Sequence, residues 1–236
     1  MSAWAAKRFW KETTVAATEG GFTVALDGRL IKTPAKTPLV VPTRVLAEAM
    51  AVEWDAQEEK VDPNTMPFTR MANSAIDKVV PQFAEVADML AAYGDSDLLC
   101  YRATNPEELI ARQSALWDPV LDWAESALNV RLIPVAGVIH APQNPQDLAR
   151  MTARVHDFSH FQLAAFHDLV SISGSLVLGF AVSEGHLSPE QAWDLSRVDE
   201  KWQEEQWGKD DLATEQAAVK RDAFIHAHRF FRHCAV

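Results

Sequence analysis

The chain changes its hydrophobic period near Pro42, and that change sets the expected architecture. Before it, apolar residues alternate with polar ones or sit in short β-branched clusters. Thr13–Thr18 and Phe22–Leu26 read as strands, with a turn at Gly20–Gly21 between them. Asp27–Gly28 is a two-residue hairpin signal, because a type I′ turn needs positive φ at both positions. Arg29–Lys32 is then the returning strand. Thr33–Pro34 and Thr37–Pro38 interrupt the pattern, and Leu39–Val41 is a further short apolar run. The expectation is an antiparallel unit of about three to five strands, too small to be stable without something to pack against.

Beyond Pro42 the spacing becomes helical. Thr43 is an N-cap candidate, and Leu46, Met50 and Trp54 form a stripe at four-residue intervals. Pro67 starts a second helix with Met71, Ala75 and Val79 on one face, and Pro81 breaks or restarts it. Pro106 opens a helix through Trp117 to Trp123, and Pro145 opens another, with a short β-like run at Val130–Val135 between them. Leu163–Val182 reads as one buried core helix. It is apolar enough to require a membrane check, but His167 and Asp168 lie inside it, and a charge within a span costs about 3 kcal/mol. Ser188–Pro189–Glu190–Gln191 is a capping box with Pro at the first helical position, predicting a helix to about Trp207 that Gly208 ends. A last helix runs from about Asp211 to His233. The fold class expected is α+β: a small β-rich antiparallel domain over residues 1–42, then a larger all-helical domain over residues 43–236.

Charge narrows the partners. The net charge of −11 argues against nucleic acid, whose phosphates an acidic surface repels. Residues 1–44 nevertheless carry seven Lys/Arg against three acids, a balance of +4 that leaves −15 on the remainder. The two cysteines, Cys100 and Cys234, are far apart and in no CxxC, which fits a reducing compartment. No apolar signal core is read in Met1–Glu12, so the protein is expected to be cytoplasmic, or a mature form already trimmed, with no membrane insertion.

Candidate chemistry is sparse. There is no GxSxG, no GxGxxG, no Walker loop and no HExxH, so no catalytic residue, cofactor or metal is expected. His156 and His160 share a face of one expected helix, and His226, His228 and His233 cluster near the end. They read as ordinary surface or core histidines. Asp199–Asp211 is different, because it places Trp202 and Trp207 among charges. Each Trp is either an anchor folded back on the core or a contact for a partner. An aromatic centre with an acidic rim of Asp199, Glu204, Glu205 and Asp210 has the composition of a protein-binding patch.

Several strings, in order, resemble one family. They are RFWKE (Arg8–Glu12), GGFTVALDGR (Gly20–Arg29), KTPAKTPLVVPT (Lys32–Thr43), EWDAQ (Glu53–Gln57) and MPFTR (Met66–Arg70). Asn73–Asp77, SDLLCYRA (Ser96–Ala103), WDP (Trp117–Pro119), Gly174–Ser175 and DEKWQEEQWG (Asp199–Gly208) follow. The chain resembles the ATP12 chaperone family, assembly factors that act on the alpha subunit of the F1 sector of ATP synthase. The resemblance implies a β-rich N-terminal part and a helical C-terminal part, no enzymatic activity and no cofactor. It implies a partner, the free alpha subunit, sheltered from aggregation until the beta subunit displaces the chaperone. It also implies a role for Glu205 and for either Asp210 or Asp211, with Trp207 beside them. Mitochondrial members carry a presequence not seen here, which points to a bacterial cytoplasmic protein and a mitochondrial-matrix location for eukaryotic relatives. A general protein-binding module and a metal- or carboxylate-based hydrolase are the alternatives.

Overall fold

The computed structural model describes residues 7–235. The N-terminal stretch read for a signal core therefore lies partly outside the described residues. Three strands, β1 (Thr13–Thr18), β2 (Gly21–Leu26) and β3 (Arg29–Leu30), form an antiparallel sheet in that order. Val15 faces Val24, and Leu26 faces Arg29 across a turn in which Asp27 and Gly28 have φ of 47° and 77°. The turn is tied down by its own side chain. Asp27 Oδ1 accepts from the amides of Glu12 (2.9 Å) and Lys11 (3.0 Å), which hold its carboxyl below the ordinary value. The Leu39–Val41 run returns to this sheet as isolated bridges, with Phe22 and Val41 exchanging backbone bonds of 2.9 and 2.8 Å. Central β2 buries Thr23 through Leu26, so both of its faces are covered there.

Helix α1 (Arg44–Asp55) starts where Thr43 accepts from the Leu46 amide at 3.2 Å. Leu46 and Met50 are fully buried, and Trp54 meets Trp10 edge-to-face at 5.3 Å. Helix α2 (Pro67–Ser74) passes through a π turn (Ala75–Val79) and a 3-10 turn (Val80–Gln82) into α3 (Phe83–Ala91). Pro81, which has no N–H to donate, lies in this irregular stretch.

The chain forms two compact units, and they do not divide where strands give way to helices. The first runs to Phe83 and takes back Ser159–Ala165 and the chain from Arg229 onward. Within it Phe68 stacks on Phe230 at 6.2 Å, and the Thr43 hydroxyl donates to the His233 carbonyl. The second comprises Ala84–Phe158 and Phe166–His228. Most of the remaining elements fall within it: β4 (Tyr101–Arg102), α4 (Glu107–Trp123), β5 (Val135–Ala136), α5 (Pro145–His156), α7 (Leu176–Ser183), α8 (Pro189–Ser196) and α9 (Val198–Trp207). Helices α6 (His160–Ser173) and α10 (Asp211–His233) give residues to both units.

Four expectations need correction. Leu163–Val182 is two helices. Gly174 takes φ of 73°, which an L side chain resists, and Ser175 then caps α7 by accepting from Leu178 at 3.0 Å. All eight residues of α7 are buried, and no helix among the described residues is long and apolar enough to cross a membrane. The helix opened by the Ser188 capping box stops at Ser196 and restarts at Val198. The Leu195 carbonyl, which a continuous helix would use for the Asp199 amide, instead receives the Trp117 indole N–H at 2.9 Å. His156 and His160 do not share a helix: His156 ends α5, and a second capping box, Ser159 with Gln162, starts α6. Of Val130–Val135 only Val135 is in a strand, the two-residue β5 paired parallel to β4.

Candidate partner-binding surface

Several of the strings that carry the resemblance build scaffold. Glu53 is buried and accepts from the amides of Phe68 (2.6 Å) and Thr69 (2.8 Å), so EWDAQ caps the helix that MPFTR begins. Burial pushes the Glu53 carboxyl upward, against the pull of those two amides. Asp77 accepts from the Thr33 hydroxyl at 2.7 Å and the Ala35 amide at 3.2 Å, joining the Asn73–Asp77 string to KTPAKTP. Asp97 in SDLLCYRA is wholly buried, bonded to the amides of Leu99 and Val177 at 3.0 Å each. Cys100 and Cys234 are free and buried. Burial pushes both thiols up to about 12, so neither is a thiolate at neutral pH.

The DEKWQEEQWG string lies on α9, whose inner side is organised by α4. Only Val198 at its start is buried. Gln113 of α4, itself buried, donates to Asp199 at 2.7 Å. One turn along α9, the Arg112 guanidinium lies 4.8 Å from the centre of the half-buried Trp202 ring. The same guanidinium grips Glu205 with two parallel bonds of 2.8 Å, Nη1 to Oε1 and Nη2 to Oε2. That bidentate pairing holds the Glu205 carboxyl below its usual value and raises Arg112. Arg197 lies 2.9 Å from Glu200 and 3.9 Å from Glu204, and Lys201 lies 2.7 Å from Asp194. Most charges that looked like an open acidic rim are thus satisfied within the chain.

The six singled-out residues separate accordingly. Asp199, Trp202 and Glu205 are brought together on Gln113 and Arg112, and Glu204 sits at Arg197. Asp210 accepts from the Ala213 amide at 2.9 Å and starts α10. Trp207 belongs to none of these contacts and is 79% exposed, at the end of α9 where Gly208 turns the chain with φ of 89°. Arg112 and Gln113 were missed in the sequence, since a residue 93 positions from its partner leaves no local signal. Leu212 and Val219, both 70% exposed, were also missed. Their signal was legible: two aliphatics seven apart in an otherwise polar stretch.

Other groupings are modest. Asp88, Ala91, Ala92, Asp95, Leu148 and Thr152 line a depression of about 210 Å³, below the usual range for a small-molecule site. Among the described residues no group of three or more His, Cys, Asp or Glu is placed to hold a metal ion.

Comparison with known proteins gives one answer. A family model described as ATP12 chaperone protein matches residues 7–125. A mitochondrial protein atp12 from Schizosaccharomyces pombe is 29% identical over 216 residues, covering 86% of this chain and 74% of its own. The crystal structure of Atp12 from Paracoccus denitrificans superposes with a TM-score of 0.96 at 47% identity, covering 99% of this chain and all of the other. A putative chaperone from Agrobacterium tumefaciens superposes with a TM-score of 0.92 at 44% identity, covering 97% and 86%.

Proposed function

The chain belongs to the ATP12 chaperone family, and from that premise we propose that it is an assembly factor for the F1 sector of ATP synthase. It binds the free alpha subunit and keeps it from aggregating until the beta subunit takes its place. It acts by covering a surface, without catalysing a reaction and without a cofactor, in the bacterial cytoplasm. The observation that carries the reading is the likeness to Paracoccus Atp12 over 99% of the chain at 47% identity, which extends well beyond the residues 7–125 of the family model.

The physical logic is that of an orphan interface. A subunit made before its partner exposes an apolar face, and exposed patches beyond a few hundred Å² drive aggregation. Release needs no energy source if the beta subunit binds the same face more tightly. The contact surface on this chain centres on Trp207, with Trp202, Asp199, Glu204, Glu205 and Asp210 around it. Trp207 supplies exposed aromatic area. The residues bonded to α4 and Arg197 fix α9, so that Trp207 is presented from a rigid support.

The test is co-expression of the alpha subunit with and without this protein, scoring soluble alpha. Soluble alpha that rises with the protein, co-purifies with it and is released by added beta supports the reading. Alpha that stays equally insoluble in both cases rejects it.

A further inference from the structure

The first half of α10 is nearly bare. From Asp211 to Asp222 every residue is exposed except the half-buried Ala217, a helical arm about 18 Å long. Most helices in a folded chain bury one face, and this segment does not. Its pattern is nevertheless organised. Leu212, Gln216, Val219 and Ala223 recur at i, i+4, i+7 and i+11, so they lie along one stripe. Leu212 and Val219 on that stripe are each 70% exposed, and Trp207, five residues before Leu212, is 79% exposed. Asp211, Glu215 and Asp222 follow the same spacing along one flank, and among the described residues their side chains make no ion pair or hydrogen bond. Lys220 and Arg221 lie away from that flank.

We infer that this stripe, with its one-sided acidic flank, is a docking surface for an aliphatic strip of the client bordered by Lys or Arg. The inference rests on the alpha-subunit reading above and specifies where and by what chemistry the client is held. The charge pattern selects the occupant. Three exposed carboxylates along one flank favour a basic border and repel an acidic one. A second copy of this chain docking its own stripe antiparallel about a two-fold axis would oppose the same flank, acid against acid. The carboxylates of α9 are poor alternatives for the basic border, because Glu205 and Glu204 are already held by Arg112 and Arg197.

The experiment uses the full-length protein and purified free alpha subunit, with affinity measured by titration and alpha aggregation by light scattering. The double variant Leu212→Lys/Val219→Lys keeps good helix formers on the arm while removing its apolar stripe. The control, Ala213→Lys/Thr214→Lys, adds the same charge at exposed positions off the stripe. The stripe variant is expected to lose about a hundredfold in affinity, the scale of a lost hot spot. The control is expected to stay within about threefold of wild type. Circular dichroism of both should match wild type. A stripe variant of unchanged affinity overturns the inference and leaves the alpha-subunit reading standing, because wild type still binds. Equal losses in both variants overturn it too, since charge anywhere on the arm would then suffice. A wild-type dimer that the stripe variant converts to a monomer identifies a second copy as the occupant and refutes it. Wild type that does not bind alpha at all removes both readings.

Discussion

Asp97 offers a quantitative test of how this fold is held. The carboxylate is wholly buried and bonded to backbone amides at the start of α7, close to the break at Gly174–Ser175. The Leu98 amide donates to the Gly174 carbonyl at 3.1 Å beside it. Two effects oppose one another. Burial penalises the charge, while the amides of Val177 and Leu99 and the Ser175 hydroxyl favour it. Burial wins, and the carboxyl is pushed from 3.8 up to about 6. The folded state therefore holds the proton more tightly than the unfolded chain. The stabilisation this provides is fully present below 3.8 and lost as pH rises through about 6. Over the whole window the linkage amounts to roughly 3 kcal/mol. Between about pH 7 and about pH 5 it amounts to about 1 kcal/mol.

The perturbation is Asp97→Asn, which keeps the shape and cannot titrate. Urea unfolding of both proteins at about pH 7 and about pH 5 gives the difference at each. Glu53, also raised by burial, titrates in both proteins and cancels from the comparison. Wild type is expected to gain about 1 kcal/mol on the variant as the pH is lowered. If wild type instead loses ground on acidification, the amides outweigh burial and Asp97 is held as a low-pKa anion. That result would falsify the reasoning.

Two further predictions follow from the same geometry. Replacing Glu53 by Gln puts an NH2 against one of the Phe68 and Thr69 amides, so unfolding free energy should fall by about 1–3 kcal/mol in urea melts; a loss well under that range means α2 does not depend on this cap. Reversing the Arg112–Glu205 pair separates support from contact: Glu205→Arg alone should weaken alpha binding about tenfold or more, and adding Arg112→Glu should restore most of it if Glu205 serves to hold α9, whereas a swap as weak as the single variant would mean that the client reads Glu205 directly.

What the sequence could reveal depended on how local each determinant is. The Asp27–Gly28 hairpin, the Thr43 cap and the Ser188 capping box are each decided within about four residues, and each appears where its residues lie. The breaks at Gly174 and Arg197 were not legible in the same way. One is braced by Asp97, 80 positions from its partner Val177, and the other by Trp117, 78 positions from Leu195. Nothing in an apolar or amphipathic run announces a distant side chain that will take one of its backbone groups. The candidate surface shows the same division. Trp207 was visible as an aromatic among charges, but Arg112 closing over Glu205 and Trp202 was not. The scaffold role of EWDAQ emerges only once Glu53 is seen against the amides of Phe68 and Thr69.

The path of the chain through the first compact unit has a consequence for synthesis. That unit begins with the N-terminal strands, yet it includes the chain from Arg229 onward, where Phe230 stacks on Phe68 and the His233 carbonyl accepts from the Thr43 hydroxyl. A ribosome emits these parts at opposite ends of translation. Thr43 and Phe68 must wait for His233 and Phe230 until the stretch after Arg229 emerges, so a protein proposed to shelter another chain passes through a vulnerable interval of its own.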